Sequence, residues 1–258
     1  DDLVTCGAEP LFMTDYVVFG RLSAERAAEV VRGVARGCEL AGCALLGGEM
    51  AEHPDTMGAG EFDLSGTVVG VVERAAALDP ERVRPGNKLV GLLSPGLRCN
   101  GYSLARRVLL RDRGLDDPAW SGSQRSVGEV LLEPSVVYTP AVLAVARQLG
   151  DGLHAAAHIT GGGLVGNVPR ALPSDAAAVL EWGSWEVPGV FAEIGRAGPV
   201  EPDEMLRVFN LGLGMVLVVG PHHAARAADV ARAAGCDAAV VGEVVAGRGE
   251  VRIEGMEL

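Results

Sequence analysis

The chain has almost no lysine: Lys88 is the single one among 258 residues, and every other basic side chain is arginine. Positive charge is also outnumbered, with 34 acids against 22 bases and a net charge of −12. Such a chain lacks the field that a general nucleic-acid or membrane-surface binder needs, so neither partner is expected. No apolar run approaches the ~18 residues that span a bilayer, and no charged-then-apolar leader is visible, which makes a cytoplasmic protein the expectation. Cysteine is sparse and scattered: Cys6, Cys38, Cys43, Cys99 and Cys236 form no C-x-x-C pair and no metal-finger spacing. That excludes a disulfide framework and points to reduced, mostly buried thiols. Three catalytic signatures are missing as well. Nothing matches the phosphate loop G-x-x-x-x-G-K-[ST], the zinc-hydrolase H-E-x-x-H or the nucleophile elbow G-x-S-x-G.

Glycine, in contrast, is plentiful at 36 residues. A small phosphorylated ligand would therefore be held by backbone N–H groups, arginines and a divalent metal rather than by a lysine cluster. Apolar residues at 48% and charged residues at 22% are an ordinary globular balance, and the length suits one large or two ordinary domains.

Asp1–Leu3 reads as the middle of an element, so residues upstream of it are expected. Ser23 caps a helix whose apolar positions are Ala27, Val30, Val34, Cys38 and Ala41, and Gly42 stops it. A short buried strand, Cys43–Leu46, runs into Gly47-Gly48-Glu49, and the β-branched stretch Leu64–Glu73 reads as another strand. Ala75–Gly86, with Pro80 and Pro85, is the best boundary and separates a domain at 1–80 from one at 86–258. Beyond it come a strand at Lys88–Leu93, a helix from about Tyr102 to Arg113, and a polar excursion at Asp116–Ser126. A helix at Pro140–Leu149 and a strand at His154–Thr160 then lead into Gly161-Gly162-Gly163. Later strands fall at Ala177–Glu181, Met215–Val219 and Ala238–Val244, with helices opened by Pro188 and Pro221. A hairpin through Gly247-Arg248-Gly249 closes the chain. The elements alternate without strict βαβ regularity, so the fold class is α+β in two domains.

Three glycine-rich turns stand beside polar residues: Gly47-Gly48-Glu49, Asn100-Gly101-Tyr102-Ser103 and Thr160-Gly161-Gly162-Gly163. Each is a candidate backbone cradle for an anion, and each is also readable as a plain turn. The third fits G-x-G-x-x-G from Gly161 to Gly166, with Glu181 twenty residues on, which is the dinucleotide fingerprint. Pro169 and Pro173 leave room for only a short helix there, and His158 and Thr160 are polar where a buried parallel strand is apolar, so a nicotinamide or flavin site is disfavoured. Asp2, Glu49 and Asp63 lie at the edges of strand-like or glycine-rich segments. Hard oxygen ligands so placed suit Mg²⁺, which binds through one or two carboxylates plus substrate phosphates; they are equally readable as solvated acids or caps. Asp15 and Glu52 are weaker candidates. His53, His154 and His222-His223 read as surface or strand-edge residues.

An ordered set of strings resembles the aminoimidazole ribonucleotide synthetases. It comprises Gly7-Ala8-Glu9-Pro10-Leu11-Phe12 with Asp15-Tyr16, then Ala41-Gly42-Cys43-Ala44-Leu45, then Gly47-Gly48-Glu49-Met50-Ala51-Glu52. Phe62-Asp63-Leu64 with Gly66 follows, and the second half adds Asn100-Gly101-Tyr102-Ser103-Leu104, His158-Ile159-Thr160-Gly161-Gly162-Gly163, and Phe209-Asn210 with Gly212 and Gly214-Met215. The resemblance implies an N-terminal α+β domain, partial here, that pairs in a homodimer, and a C-terminal α+β domain facing it over a cleft. It implies ATP-dependent ring closure of formylglycinamidine ribonucleotide to 5-aminoimidazole ribonucleotide in purine biosynthesis, with Mg²⁺. The alternatives are a sister phosphoryl-transfer enzyme of that superfamily or a non-catalytic dimer-forming remnant. By resemblance Asp2 and Glu49 hold Mg²⁺–ATP and Asp63 assists. Asn100, Gly101, Ser103, Thr160, Gly161, Gly162 and Gly163 bind the phosphorylated substrate, and His158 polarises it or moves a proton. The family's glycine- and aspartate-rich stretch resembling G-T-D-G-V-G-T-K, which helps bind ATP, is not in this chain. Cys99 stands where the family usually has serine, and Met50 where threonine is common.

Overall fold

A computed structural model describes residues 1–256. The chain divides into two compact units, Asp1–Ala77 and Leu78–Leu258.

The first unit opens with a 3-10 turn, Asp2–Cys6, closed by Gly7 at φ 81. Its sheet has the order β2-β1-β3, built from β1 (Glu9–Phe19), β2 (Ala44–Glu52) and β3 (Phe62–Val71). β1 pairs in parallel with β2 and antiparallel with β3. The helix α1 (Ala24–Ala41) connects β1 to β2 and starts and stops where its sequence says. Ser23 Oγ accepts from the Arg26 N–H at 3.5 Å, and Gly42, at φ 72, donates its N–H back to the carbonyls of Cys38 and Glu39. Ala27 and Val30 of α1 pack on Val17 and Phe19 of β1, so one face of the sheet is covered.

Two expectations are corrected here. β1 is a full central strand that the sequence reading passed over. Gly47-Gly48-Glu49 is not a turn: it lies inside β2, with Gly48 opposite Asp15 and Glu49 opposite Tyr16. The glycines permit close approach rather than reversal, since a Cβ on Gly48 would sit 2.0 Å from Asp15 Oδ1.

The second unit carries a six-stranded sheet of order β5-β7-β4-β8-β6-β9. In chain order its elements are β4 (Lys88–Leu93), α2 (Tyr102–Leu109), α3 (Val127–Leu131), α4 (Thr139–Leu149), β5 (Leu153–His158), α5 (Gly163–Asn167) and β6 (Ala176–Glu181). They continue through α6 (Gly189–Ala197), α7 (Pro202–Val208), β7 (Leu213–Val219), α8 (Ala224–Ala233), β8 (Ala238–Ala246) and β9 (Val251–Glu254). Leu89, Ala155, Ala157, Val216 and Val218 turn one face of the sheet into a core shared with α2, α5, α6 and α7. The alternate residues Val90, Leu92, Leu217 and Val219 are also fully buried, on the other face, where α8 packs on β4 and β8 and against α4. Lys88 is committed to this sheet: its Nζ reaches Glu243 Oε2 at 2.6 Å across the β4–β8 ladder.

The closing hairpin is a further correction. β9 does not fold back on β8; it runs parallel to β6, with Ala178 opposite Val251. β6 already occupies the free edge of β8, so the last strand must pass to the next open edge. α2 also ends at Leu109, earlier than Arg113. Among the described residues no helix is long and apolar enough to cross a membrane.

Candidate functional site

In the second unit the sheet gathers three of the glycine-bearing strings at one end. β4 and β5 both run antiparallel to β7, so their last residues lie beside its first ones: Leu93 opposite Leu213, and His158 opposite Met215. The loop from β4 to α2 carries Asn100 and Gly101, the loop from β5 to α5 carries Thr160–Gly162, and the approach to β7 carries Phe209 and Asn210. The first two loops touch, since a Cβ on Gly161 would be 3.4 Å from Asn100 Oδ1. Gly101, at φ 81, lies so close to Phe209 that a Cβ would come within 2.4 Å of its ring. Gly163, at φ 59, is buried, and a Cβ there would meet the Leu206 carbonyl at 2.1 Å. Only glycine fits at these two positions, on backbone conformation and on space.

Polar side chains to which the sequence reading gave no role hold these loops. Asn167 is 1% exposed; its Nδ2 faces the carbonyls of Thr160 (3.3 Å), Gly161 (3.2 Å) and Gly163 (2.8 Å), and its Oδ1 accepts from Thr160 Oγ1 at 3.3 Å. Asn210 donates from Nδ2 to the Gly96 carbonyl at 2.9 Å and accepts the Gly212 N–H at 2.8 Å, tying the β7 approach to the β4 loop. Arg98 Nη2 lies 2.7 Å from His158 Nε2, and its guanidinium stands over the Tyr138 ring, 4.8 Å from the centroid. Tyr138 in turn donates its hydroxyl to the Leu93 carbonyl at 2.8 Å. Burial pushes the phenols of Tyr138 and Tyr102 above their ordinary range, with Arg98 partly opposing this at Tyr138. Both therefore remain neutral donors at physiological pH. The signal for Asn167 and Asn210 was in principle present, as amides set beside the glycines; Arg98 and Tyr138 carry no local pattern.

Of the expected substrate residues, Asn100, Gly101, Thr160, Gly161, Gly162 and Gly163 come together here with His158. Ser103 lies in the first turn of α2 and is exposed. The dinucleotide reading fails on topology: β5 is an edge strand paired antiparallel to β7, α5 has five residues, and β7, β4 and β8 all lie between β5 and β6 with its Glu181.

In the first unit, Glu49 pairs with Tyr16 and Asp63 with Val18, and Tyr16 and Val18 share one face of β1. Glu49 and Asp63 therefore project from the same face, opposite the one that α1 covers. Both are exposed, and each accepts a backbone N–H next door, Met50 at 3.0 Å and Leu64 at 2.9 Å. A carboxylate has about four lone-pair sites, so these bonds leave oxygens for a hard cation. Asp2 is exposed on the 3-10 turn. Among the described residues no three acid, histidine or cysteine side chains cluster as a ready-made metal cage. Mg²⁺ requires no such cage, because it keeps several waters and substrate phosphates in its shell and takes only one or two carboxylates.

Fold and glycine-bound loops together define the class. The model of the AIR synthase related protein family matches in two parts, its N-terminal domain on residues 1–72 and its C-terminal domain on residues 84–254. This chain belongs to that family. Within it the chain is 51% identical, over 252 residues, to the phosphoribosylformylglycinamidine cyclo-ligase of Myxococcus xanthus, an alignment covering 97% of this chain and 72% of that protein. The thiamine-monophosphate kinase from Stenotrophomonas maltophilia is similar in structure, with a TM-score of 0.70 at 20% identity over 100% of this chain and 76% of that one. So is the hydrogenase maturation protein HypE solved in complex with ATP, with a TM-score of 0.68 at 17% identity over 98% and 72% of the two chains. At those identities the two structures share the fold.

Proposed function

We propose that this chain is an ATP-dependent ligase that closes the imidazole ring of 5-aminoimidazole ribonucleotide from formylglycinamidine ribonucleotide, releasing ADP and phosphate. One observation carries the reading: 51% identity to a phosphoribosylformylglycinamidine cyclo-ligase across nearly the whole chain. The formamide oxygen of the substrate is a poor leaving group. Transfer of the ATP γ-phosphoryl group to it creates a good one; the amidine nitrogen of the same molecule then attacks that carbon, and phosphate and a proton depart. Holding both ends of one molecule in a ring-like pose supplies much of the rate through proximity.

The residues have distinct tasks in this reading. The loops around Asn100, Gly101 and Thr160–Gly163, with Ser103, bind the phosphorylated substrate through backbone N–H groups and short polar side chains, in line with the absence of lysine there. His158, at the end of β5, polarises the reacting group or moves a proton. Asp2 and Glu49, with Asp63, would hold Mg²⁺ with ATP, the ion offsetting charge on the phosphates. The sheet face that α1 leaves open carries Tyr16 and Val69, each 40% exposed, which supports pairing of two first units in a homodimer. A cytoplasmic setting goes with a purine-biosynthetic role.

The test is a phosphate-release assay with the purified protein, ATP, Mg²⁺ and formylglycinamidine ribonucleotide. Release is expected when all are present and is lost when the ribonucleotide is omitted. No release with the complete mixture, or release with a different acceptor alone, overturns the assignment.

A further inference from the structure

We propose that Arg98 is a positioning residue that fixes His158 as a neutral imidazole protonated at Nδ1, so that Nε2 is held by the guanidinium and does not serve substrate as a base. The proposal rests on the reading of His158 given above and sharpens it, since that reading leaves polarisation and proton transfer both open.

The argument starts from what a guanidinium can do. It has five N–H donors, no acceptor, and stays charged at any relevant pH. Its Nη2 stands 2.7 Å from His158 Nε2, so a bond at that contact requires Nε2 to contribute its lone pair. The proton of the neutral ring is then on Nδ1. A second proton at Nε2 would set an N–H against an N–H and one cation against another. With Nε2 engaged in this way, the one lone pair of the neutral ring is committed to Arg98.

Arg98 is itself held hard, which separates it from a surface arginine resting on a neighbour. Its backbone is left-handed, at φ 63, a conformation that a long side chain seldom adopts. Its carbonyl lies 3.1 Å from the Tyr102 hydroxyl, its Nη1 donates to the Val136 carbonyl at 3.3 Å, and its guanidinium stacks on the fully buried Tyr138. Tyr138 reaches Leu93 only because residue 214 is glycine: a Cβ there would fall 2.0 Å from the Tyr138 hydroxyl. Among the described residues one other non-glycine has positive φ, Leu211 at 48, and it lies on the approach to β7 beside the same strand ends. Backbone strain of this kind persists where surrounding structure over-determines it, and it concentrates at functional sites.

The experiment uses the protein labelled with ¹⁵N-histidine, with His158 assigned by its loss in His158→Gln. The ring ¹⁵N shifts of His158 are expected to show Nδ1 protonated and Nε2 unprotonated; in Arg98→Met the two nitrogens move toward averaged tautomers, and Arg98→Lys restores the native pattern in part. In the ring-closure assay Arg98→Met should lose about ten- to a hundredfold in kcat with KM held within about threefold, because the affected group acts on chemistry more than on binding. Circular dichroism and thermal melting of each variant establish that it is folded, and an unfolded Arg98→Met passes the decision to Arg98→Lys and Arg98→Gln. A native His158 protonated at Nε2, or a tautomer unmoved in every folded Arg98 variant, overturns the proposal. The NMR result is independent of turnover, so native protein that shows the expected tautomer but no ring closure removes the proposed function and leaves the Arg98–His158 assignment standing.

Discussion

Asn167 and Glu49 are both polar residues on glycine-rich segments, yet the molecule treats them in opposite ways. Asn167 is buried and spends its amide on the carbonyls of Thr160, Gly161 and Gly163. Glu49 is exposed and accepts the N–H of its neighbour Met50. The second unit thus builds its loops in advance, whereas the first presents carboxylates whose arrangement an incoming cation would complete. Rigid, satisfied polar groups suit an oriented organic substrate; loosely held acids suit a metal that brings its own geometry.

The glycines give the sharpest way to break this contrast. Gly163→Ala places a methyl group 2.1 Å from the Leu206 carbonyl at φ 59, and the expected loss of stability is about 3 kcal/mol in urea unfolding. Gly47→Ala in β2 is the control: φ is 140 but nothing lies within 4 Å of the added methyl, so about 1 kcal/mol is expected. Equal losses at the two positions would erase the distinction between a prebuilt and an open region.

Activity should separate the units in the reverse sense. Glu49→Gln is expected to lower ATP-dependent turnover by about a hundredfold while stability stays within about 0.5 kcal/mol, because an exposed carboxylate leaves no buried partner behind. Asn167→Ala strands buried carbonyls and should lower stability by about 2 kcal/mol, with a smaller kinetic effect. Near-normal turnover of Glu49→Gln removes that residue from the proposed metal site, and a stable Asn167→Ala shows that the glycine turn holds without its clamp.

How much of this was legible in the sequence depends on the range of the interactions. α1 was readable end to end because its cap, apolar period and terminating glycine are all local. β1 was not, because Val17, Val18 and Phe19 are buried in succession and Asp15 is buried as well, so its alternation is broken. Its strand character comes from pairing on both edges, with β2 and β3. Gly47-Gly48-Glu49 was misread for the same reason: glycines usually punctuate, and only the neighbouring Asp15 shows that these make room. β9 was visible as a strand, but its partner was not, since which sheet edge is open depends on β6 and β8 together. At the site, the glycine strings announced the loops. Arg98, Tyr138 and Asn167 bind backbone carbonyls, or one another, through contacts that no residue pattern encodes.

The smallest expected effect concerns the thiols. Cys6, on the 3-10 turn of the first unit, is exposed; Cys236, after α8 in the second, is buried, and burial pushes its thiol up to about 11 from an ordinary 9.0. Burial favours the neutral thiol in the folded state, so the unfolded chain releases this proton first as pH rises. Below pH 9 both states keep it and stability is unaffected; between pH 9 and about 11 stability falls, because there the unfolded state binds fewer protons than the folded one. The slope for one such group is at most about 1.4 kcal/mol per pH unit. Urea unfolding of native protein and Cys236→Ala at pH 8 and pH 10 isolates it: the native protein should lose about 1 kcal/mol more than the variant over that interval. Parallel losses would mean that Cys236 ionises as readily folded as unfolded. The interior behind the glycine loops would then be wetter than the buried network of the second unit implies, and the contrast with the open sheet of the first unit would weaken accordingly.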